Sequence, residues 1–416
     1  MPSTKRAVIP SIALPYLLNI LRFQNLSTCC EVPWRPAGSS GPSIGIHGAR
    51  PQATCTVAQR AGRRSMSRFG LEVVDGDGHV VERGSDLRRF GWEGDANDIV
   101  TLLLGWESRQ EWTHGITPAV DDGAFDPVTR LADMDREGID RAVNYPSPLL
   151  GVSDFADPAS SASACRAYND WFAATYRAAD PNRLAAVALV PLRDAPAAAA
   201  EARRTITELG AVGVMVQPYV GDDVHLSDPQ FDPLWTTLEE LGRPVAVHGS
   251  RHTCPPKIGP STYRNFARFY AMCHPFQQQV AMGDLVLGGV LERHPRLKVA
   301  FLESGVGWIP YYIDRLDEAY ESVREDWVDD RYVLPREPHE YLLSGNCWFS
   351  CEPDEPNLRV MIDSLGEDQV FYASDYPHFD CKFPDSAQAL IEESGLPERL
   401  VAKVAGANAR ALYGLD

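Results

Sequence analysis

The chain has 416 residues, 44% of them hydrophobic, and a formal net charge of −18. That length buries a full core and accommodates an α/β barrel of roughly 250–340 residues as a single domain. The acidity excludes nucleic acid and anionic membranes as partners.

The acidity is uneven, because residues 1–66 hold eight Lys/Arg and one acid, Glu31. Lys5 and Arg6 precede an apolar run from Ala7 to Leu21, which Pro10 and Pro15 interrupt. The arrangement resembles the first two regions of a signal peptide, but no small-residue cleavage site follows. Pro33 to Arg64 is rich in Pro, Gly, Ser and Arg and has no periodicity, which predicts disorder. Residues 1–65 therefore read either as an extension upstream of a natural start at Met66 or as a targeting segment. Residues 66–416 read as one barrel. No apolar run reaches the ~18–20 residues that span a bilayer.

From Met66 onward strands and helices alternate. The first strand is expected over Leu71–Asp75, followed by a long polar insertion from Glu82 to Asp126, a length that predicts function. Arg130–Gly138 reads as a helix and Ala142–Tyr145 as the second strand. Ala159–Ala179 reads as a helix capped by Asp157 and Pro158. Leu184–Val190 and Gly213–Gln217 are strands three and four, with an Ala-rich helix, Ala195–Leu209, between them. A helix over Asp228–Leu241 leads to strand five, Val245–His248. A long helical stretch, Phe266–Glu292, precedes strand six, Leu297–Leu302. The helix Ile309–Arg324, strand seven at Cys347–Cys351, the helix Asn357–Leu365 and strand eight at Val370–Ser374 follow. Helices from Ser386 to Leu412 close the chain. Eight short apolar strands, each followed by a helix, predict a closed (β/α)8 TIM barrel. An open doubly wound sheet is the alternative, but no early Gly-rich phosphate loop is present. The nine cysteines include no C-x2-C pair, which predicts reduced thiols in a cytoplasmic protein.

Such barrels carry their sites at the carboxyl ends of the strands. Strand one leads into Asp-Gly-Asp77-Gly-His79, where alternate residues share a side and Asp77 and His79 converge. A polar turn is the competing interpretation of that stretch. Strand five ends at His248, strand six at Glu303 and strand eight at Asp375. Four apolar strands ending in ionisable groups fit a His/carboxylate metal site with an open position for water or substrate. The remaining candidates are His274, Arg251, His378 and Trp308. His274 is either a second proton-transfer group or a surface residue. Arg251 is placed to pair with a substrate carboxylate or with a protein acid. His378 either orients substrate or caps the last helix. Trp308, with Tyr263, Tyr270 and Phe276, forms either an aromatic wall or ordinary packing.

Five stretches together resemble the amidohydrolase-related family. They are Asp-Gly-Asp-Gly-His79, Val-Ala-Val-His248-Gly, Gly-Gly-Val-Leu-Glu-Arg-His-Pro-Arg-Leu297, Ala-Ser-Asp375-Tyr-Pro-His378 and Gly-Ala-Asn408-Ala-Arg-Ala-Leu-Tyr413. The resemblance runs from about Leu71 to Leu415. It is strongest to the branch holding aminocarboxymuconate semialdehyde decarboxylase and the resorcylate and carboxyvanillate decarboxylases. It implies a metal-dependent (β/α)8 barrel in which His79, His248 and Asp375 are metal ligands and Asp77 is an oxygen ligand. Strand four has no lysine to bridge two metals, which predicts one divalent ion, Zn²⁺ or Mn²⁺, and no organic cofactor. The branch places a catalytic histidine where this chain has Glu303. That glutamate is a proton-transfer group, a further ligand, or a partner of Arg251 or Arg315. Decarboxylation of a small carboxylic acid is the expected reaction. Metal-dependent hydrolysis with Asp375 or Glu303 as base is the alternative, and a non-catalytic ligand-binding barrel the third. A small-molecule substrate and a homodimer are the expected partners.

Overall fold

The structure is a computed structural model that describes residues 68–94, 122–155, 157–221, 224–250, 266–323 and 333–416. The expected N-terminal extension, Arg251, Tyr263 and most of the Glu82–Asp126 insertion lie outside the described residues.

Eight parallel strands pair in chain order: β1 Val74–Val80, β2 Arg141–Pro146, β3 Leu184–Leu189, β4 Gly213–Val216, β5 Val245–Val247, β6 Val299–Phe301, β7 Cys347–Cys351 and β8 Val370–Tyr372. The strands are rich in Val, Ala and Phe and are buried along nearly their whole length, as parallel strands covered on both faces must be. The ring closes just beyond β8. There the Asp375 amide donates to the Asp77 carbonyl at 3.0 Å and the His79 amide to the Tyr376 carbonyl at 2.7 Å. This is the (β/α)8 barrel that the alternating elements predict.

The principal helices are α1 Gly84–Arg89, α2 Pro127–Glu137, α3 Pro158–Phe172, α4 Ala195–Arg204, α5 Asp232–Leu241, α6 Phe266–Leu287, α7 Ile309–Val323 and α8 Leu358–Leu365. Three of them begin with an aspartate cap followed by proline. Asp126 accepts from the Thr129 amide, Asp157 from those of Ala159 and Ser160, and Asp194 from that of Ala197.

The first strand departs from expectation. It starts at Val74 and includes Asp77 and His79, which were expected beyond its end. The register against β2 slips between Asp75 and Gly78, and this bulge lets the polar Asp-Gly-Asp-Gly-His run stay paired. Among the described residues Cys165, Cys273, Cys347, Cys351 and Cys381 are free thiols. No described helix is long and apolar enough to cross a membrane.

Candidate metal centre and active site

The ends of β1, β5, β6 and β8 bring five candidate donor groups together. His79 Nε2 lies 3.6 Å from Asp77 Oδ1 and 3.4 Å from Asp375 Oδ1. His248 Nε2 lies 3.7 Å from Asp77 Oδ1 and 3.2 Å from Glu303 Oε2. Two donors each about 2.1 Å from one ion, at the tetrahedral angle, stand about 3.4 Å apart. Asp77, His79 and His248 form one group, and His79, Glu303, Asp375 and His378 a second, whose donor atoms lie within 4.8 Å of one another and could hold a metal ion.

The imidazoles are oriented for that role. His79 Nδ1 donates to the Pro146 carbonyl at 2.8 Å and His248 Nδ1 to the Gly249 carbonyl at 2.7 Å. Each bond leaves the Nε2 lone pair aimed at the shared point, the usual second contact of a metal-ligating histidine. Burial pushes His248 down to about 4, so its ring is neutral at physiological pH and available as a ligand. Burial, reinforced by the Glu303 and Asp75 carboxylates, pushes Asp77 well above the ordinary carboxylate range. Asp77 Oδ1 and His248 Nε2 are buried and have no hydrogen-bond partner among the described residues. Buried polar atoms require partners. These two, set among three carboxylates, fit a divalent cation.

Glu303 and Asp375 share a backbone feature, with φ of 50° and 55°. Left-handed backbone at non-glycine residues is costly and clusters at functional sites. Beside these residues opens a cavity of about 340 Å³, lined among others by Asp77, Tyr270, His274, Glu303, Cys351 and Asp375. Its size suits a small-molecule ligand.

His274 sits on α6 with Nε2 3.5 Å from Glu303 Oε1. It approaches the end of β5 so closely that a Cβ at Gly249 would lie 2.6 Å from its Nδ1. Glu303 thus stands between His248 on one side and His274 on the other. Two residues expected to contact substrate lie outside this lining. Trp308 does not line the cavity; its Nε1 donates to Ser304 Oγ at 3.3 Å and its ring packs on Tyr312. His378 also lies outside the lining. Its ring stacks on His79 with centroids 4.0 Å apart, Nδ1 is 2.5 Å from Asp375 Oδ1, and Nε2 is 3.3 Å from Ser147 Oγ. The turn that returns its backbone amide to the Asp375 carbonyl brings its ring in beside His79, Glu303 and Asp375, with which it forms a group of possible metal donors. Arg251 lies outside the described residues.

The amidohydrolase family profile matches residues 74–415. The chain belongs to the amidohydrolase family. Among curated relatives, 2-amino-3-carboxymuconate-6-semialdehyde decarboxylase of Dictyostelium discoideum is 26% identical over 298 residues, covering 71% of this chain and 79% of that protein. Gamma-resorcylate decarboxylase of a Rhizobium species is 28% identical over 310 residues, covering 69% and 87%. Among solved structures, 5-carboxyvanillate decarboxylase from Sphingomonas paucimobilis superposes with a TM-score of 0.66 at 24% identity, covering 83% of this chain and all of that one. A manganese-bound 5-carboxyvanillate decarboxylase from Novosphingobium aromaticivorans gives 0.65 at 20% identity, covering 83% and 98%.

Several residues that hold this amidohydrolase site together escaped the sequence reasoning. Asp75 accepts from the Ser374 amide and hydroxyl at 2.9 and 2.6 Å, tying β1 to β8. Gln277 exchanges hydrogen bonds with the Ser250 backbone, and Gln278 donates to the Val247 and Leu302 carbonyls, so α6 pins the ends of β5 and β6. Ser350 Oγ accepts from the Glu303 amide at 3.1 Å. The readable signal was polarity out of place. Gln277 and Gln278 interrupt a helix with few charges, and Arg130 shares the buried face of α2 with Met134.

Proposed function

We propose that this amidohydrolase is a metal-dependent, non-oxidative decarboxylase of a small aromatic or unsaturated carboxylic acid, holding one divalent ion among Asp77, His79, His248 and Asp375. The convergence of Asp77 Oδ1 and His248 Nε2, buried without other hydrogen-bond partners among the described residues, carries the metal assignment. The decarboxylase activity of the curated relatives supports the reaction. The donor set suits Zn²⁺ or Mn²⁺, and the carboxyvanillate decarboxylase above was solved with manganese.

A divalent ion held by these residues would supply Lewis-acid stabilisation of the charge that develops on the substrate. Glu303 supplies the proton. Its carboxyl lines the cavity and delivers H⁺ to the carbon that bears the substrate carboxylate. The bond to that carboxylate then breaks, its electron pair returns to the substrate, and CO2 leaves. His274 Nε2, next to Glu303 Oε1, restores the proton. His378 Nδ1 holds the Asp375 carboxylate.

Glu303 also favours a second reading, hydrolysis. A carboxylate in that place serves as base toward water, and the same site would then cleave a lactone or amide. Incubating metal-loaded protein with hydroxylated aromatic carboxylic acids, then with lactones and amides, separates the two. CO2 release is the expected outcome. Acid release without CO2 establishes the hydrolase, and silence in both arms with a tightly held ion leaves a ligand-binding barrel.

A further inference from the structure

The donor groups of β1 and β8 are joined by a largely buried polar cluster whose own side chains, Arg130, Asp133, Tyr376 and Asp75, do not line the cavity. Arg130 and Asp133, one turn apart on α2, both reach the segment that follows Asp375. The Arg130 guanidinium lies 4.3 Å from the Tyr376 ring centroid, and the Tyr376 hydroxyl donates to Asp133 Oδ2 at 2.6 Å. Arg130 Nη1 also donates to the His79 carbonyl at 3.2 Å and to the Tyr376 carbonyl at 3.3 Å. Its Nη2 is 3.8 Å from Asp75 Oδ2, the carboxylate that holds Ser374.

The local sequence is shaped to admit this side chain. A Cβ on Gly78 would fall 2.4 Å from Arg130 Nη2 and 2.6 Å from Asp75 Oδ2. Any other residue between Asp77 and His79 would displace the guanidinium. Arg130 is 1% exposed, and its Nε has no hydrogen-bond partner among the described residues. Burying a guanidinium this way is expensive, and an apolar residue of similar volume generally packs there at lower cost. What a methionine at position 130 could not do is hold the His79 and Tyr376 carbonyls together. Those are the backbone groups of one proposed ligand and of the residue next to another.

We propose that Arg130, Asp133 and Tyr376 are positioning residues, a clamp from α2 that fixes the spacing between His79 on β1 and Asp375 after β8. The proposal rests on the metal reading above. It assigns to α2 a role in ion affinity that no contact with the ion provides. Interactions of this kind behind metal ligands carry about 10–100-fold in affinity.

The test compares wild type, Arg130→Met and Tyr376→Phe as full-length metal-free proteins. Mn²⁺ and Zn²⁺ affinity is measured by competition with a chromogenic chelator. Amide hydrogen exchange is followed in peptides spanning 74–81 and 370–379. Tyr376→Phe removes the bond to Asp133 and keeps the ring beneath Arg130, so it decides the matter if Arg130→Met does not fold. The clamp predicts affinity weakened about 10–100-fold in Arg130→Met and several-fold in Tyr376→Phe. It also predicts faster exchange of the His79 and Asp375 amides in both variants, with peptides from β3 and β4 unchanged. Folded variants with wild-type affinity and wild-type exchange would overturn it. If wild type itself binds no ion, the metal reading fails, and the exchange rates alone still judge the clamp.

Discussion

The Asp375 amide donates to the Asp77 carbonyl at 3.0 Å, so the last strand of the barrel is joined to the first at the residues that carry two of the proposed ligands. The closure of the fold and the assembly of the site are therefore one structural event. An ion held there should stabilise the barrel as a whole. We expect chelation to lower Tm and re-addition of Mn²⁺ or Zn²⁺ to restore it. Free ion at 100 times Kd corresponds to about 2.7 kcal/mol. Scanning calorimetry with and without chelator measures the difference.

Asp375→Ala and His248→Ala should each lose the ion. Either change removes a donor from a buried site whose other members stay in place. We expect metal content after gel filtration to fall below about one tenth of an ion per chain, because a coordinating group is lost. Elemental analysis of the purified variants is the check, and turnover should fall in parallel.

Glu303→Gln should separate chemistry from metal binding. The amide keeps the shape but cannot exchange a proton with substrate or with His274 Nε2. We expect kcat to fall by about 10²–10⁴-fold, with the ion retained. Steady-state kinetics alongside metal analysis distinguishes this outcome from a ligand role, in which both would fall together.

Stability should decline with pH on the alkaline side of about 5. Burial pushes the Glu82 carboxyl up to about 8 from an ordinary 4.5, against the pull of the Leu149 and Ser147 amides that donate to it. Burial likewise holds Glu137 at about 7. A folded state that binds these protons more tightly than the unfolded chain has its full advantage below pH 4.5. It loses that advantage as pH rises through 7 and 8. Urea titrations between pH 5 and pH 8.5 should show the fall, and Glu82→Gln should flatten it. A slope unchanged in the variant would remove Glu82 from the explanation.

The barrel was legible because its signal is repetitive. Short Val- and Ala-rich runs such as Val245–Val247 and Val370–Tyr372 can be buried on both faces only in a covered parallel sheet. His79, His248, Glu303 and Asp375 were legible as candidates because each ends or interrupts an apolar strand. The bulge in β1 was not, because a register slip depends on the neighbouring strand and not on local propensity. The places of His378 and Trp308 were equally hidden. A residue six or seven positions past a strand end can join the cavity lining or stay out of it, and here the stack on His79 and the bond to Ser304 hold the two rings. Arg130 was the hardest to see. It lies about fifty residues from His79 in sequence, and only the closed ring brings its helix against β8.

Equilibrium dialysis of metal-free protein against Mn²⁺ and Zn²⁺, read out as ions bound per chain, tests the shared ion most directly. The account predicts one ion per chain in wild type, and its loss in His79→Ala, His248→Ala and Asp375→Ala alike. Tight binding that survives any one of those three substitutions would contradict it.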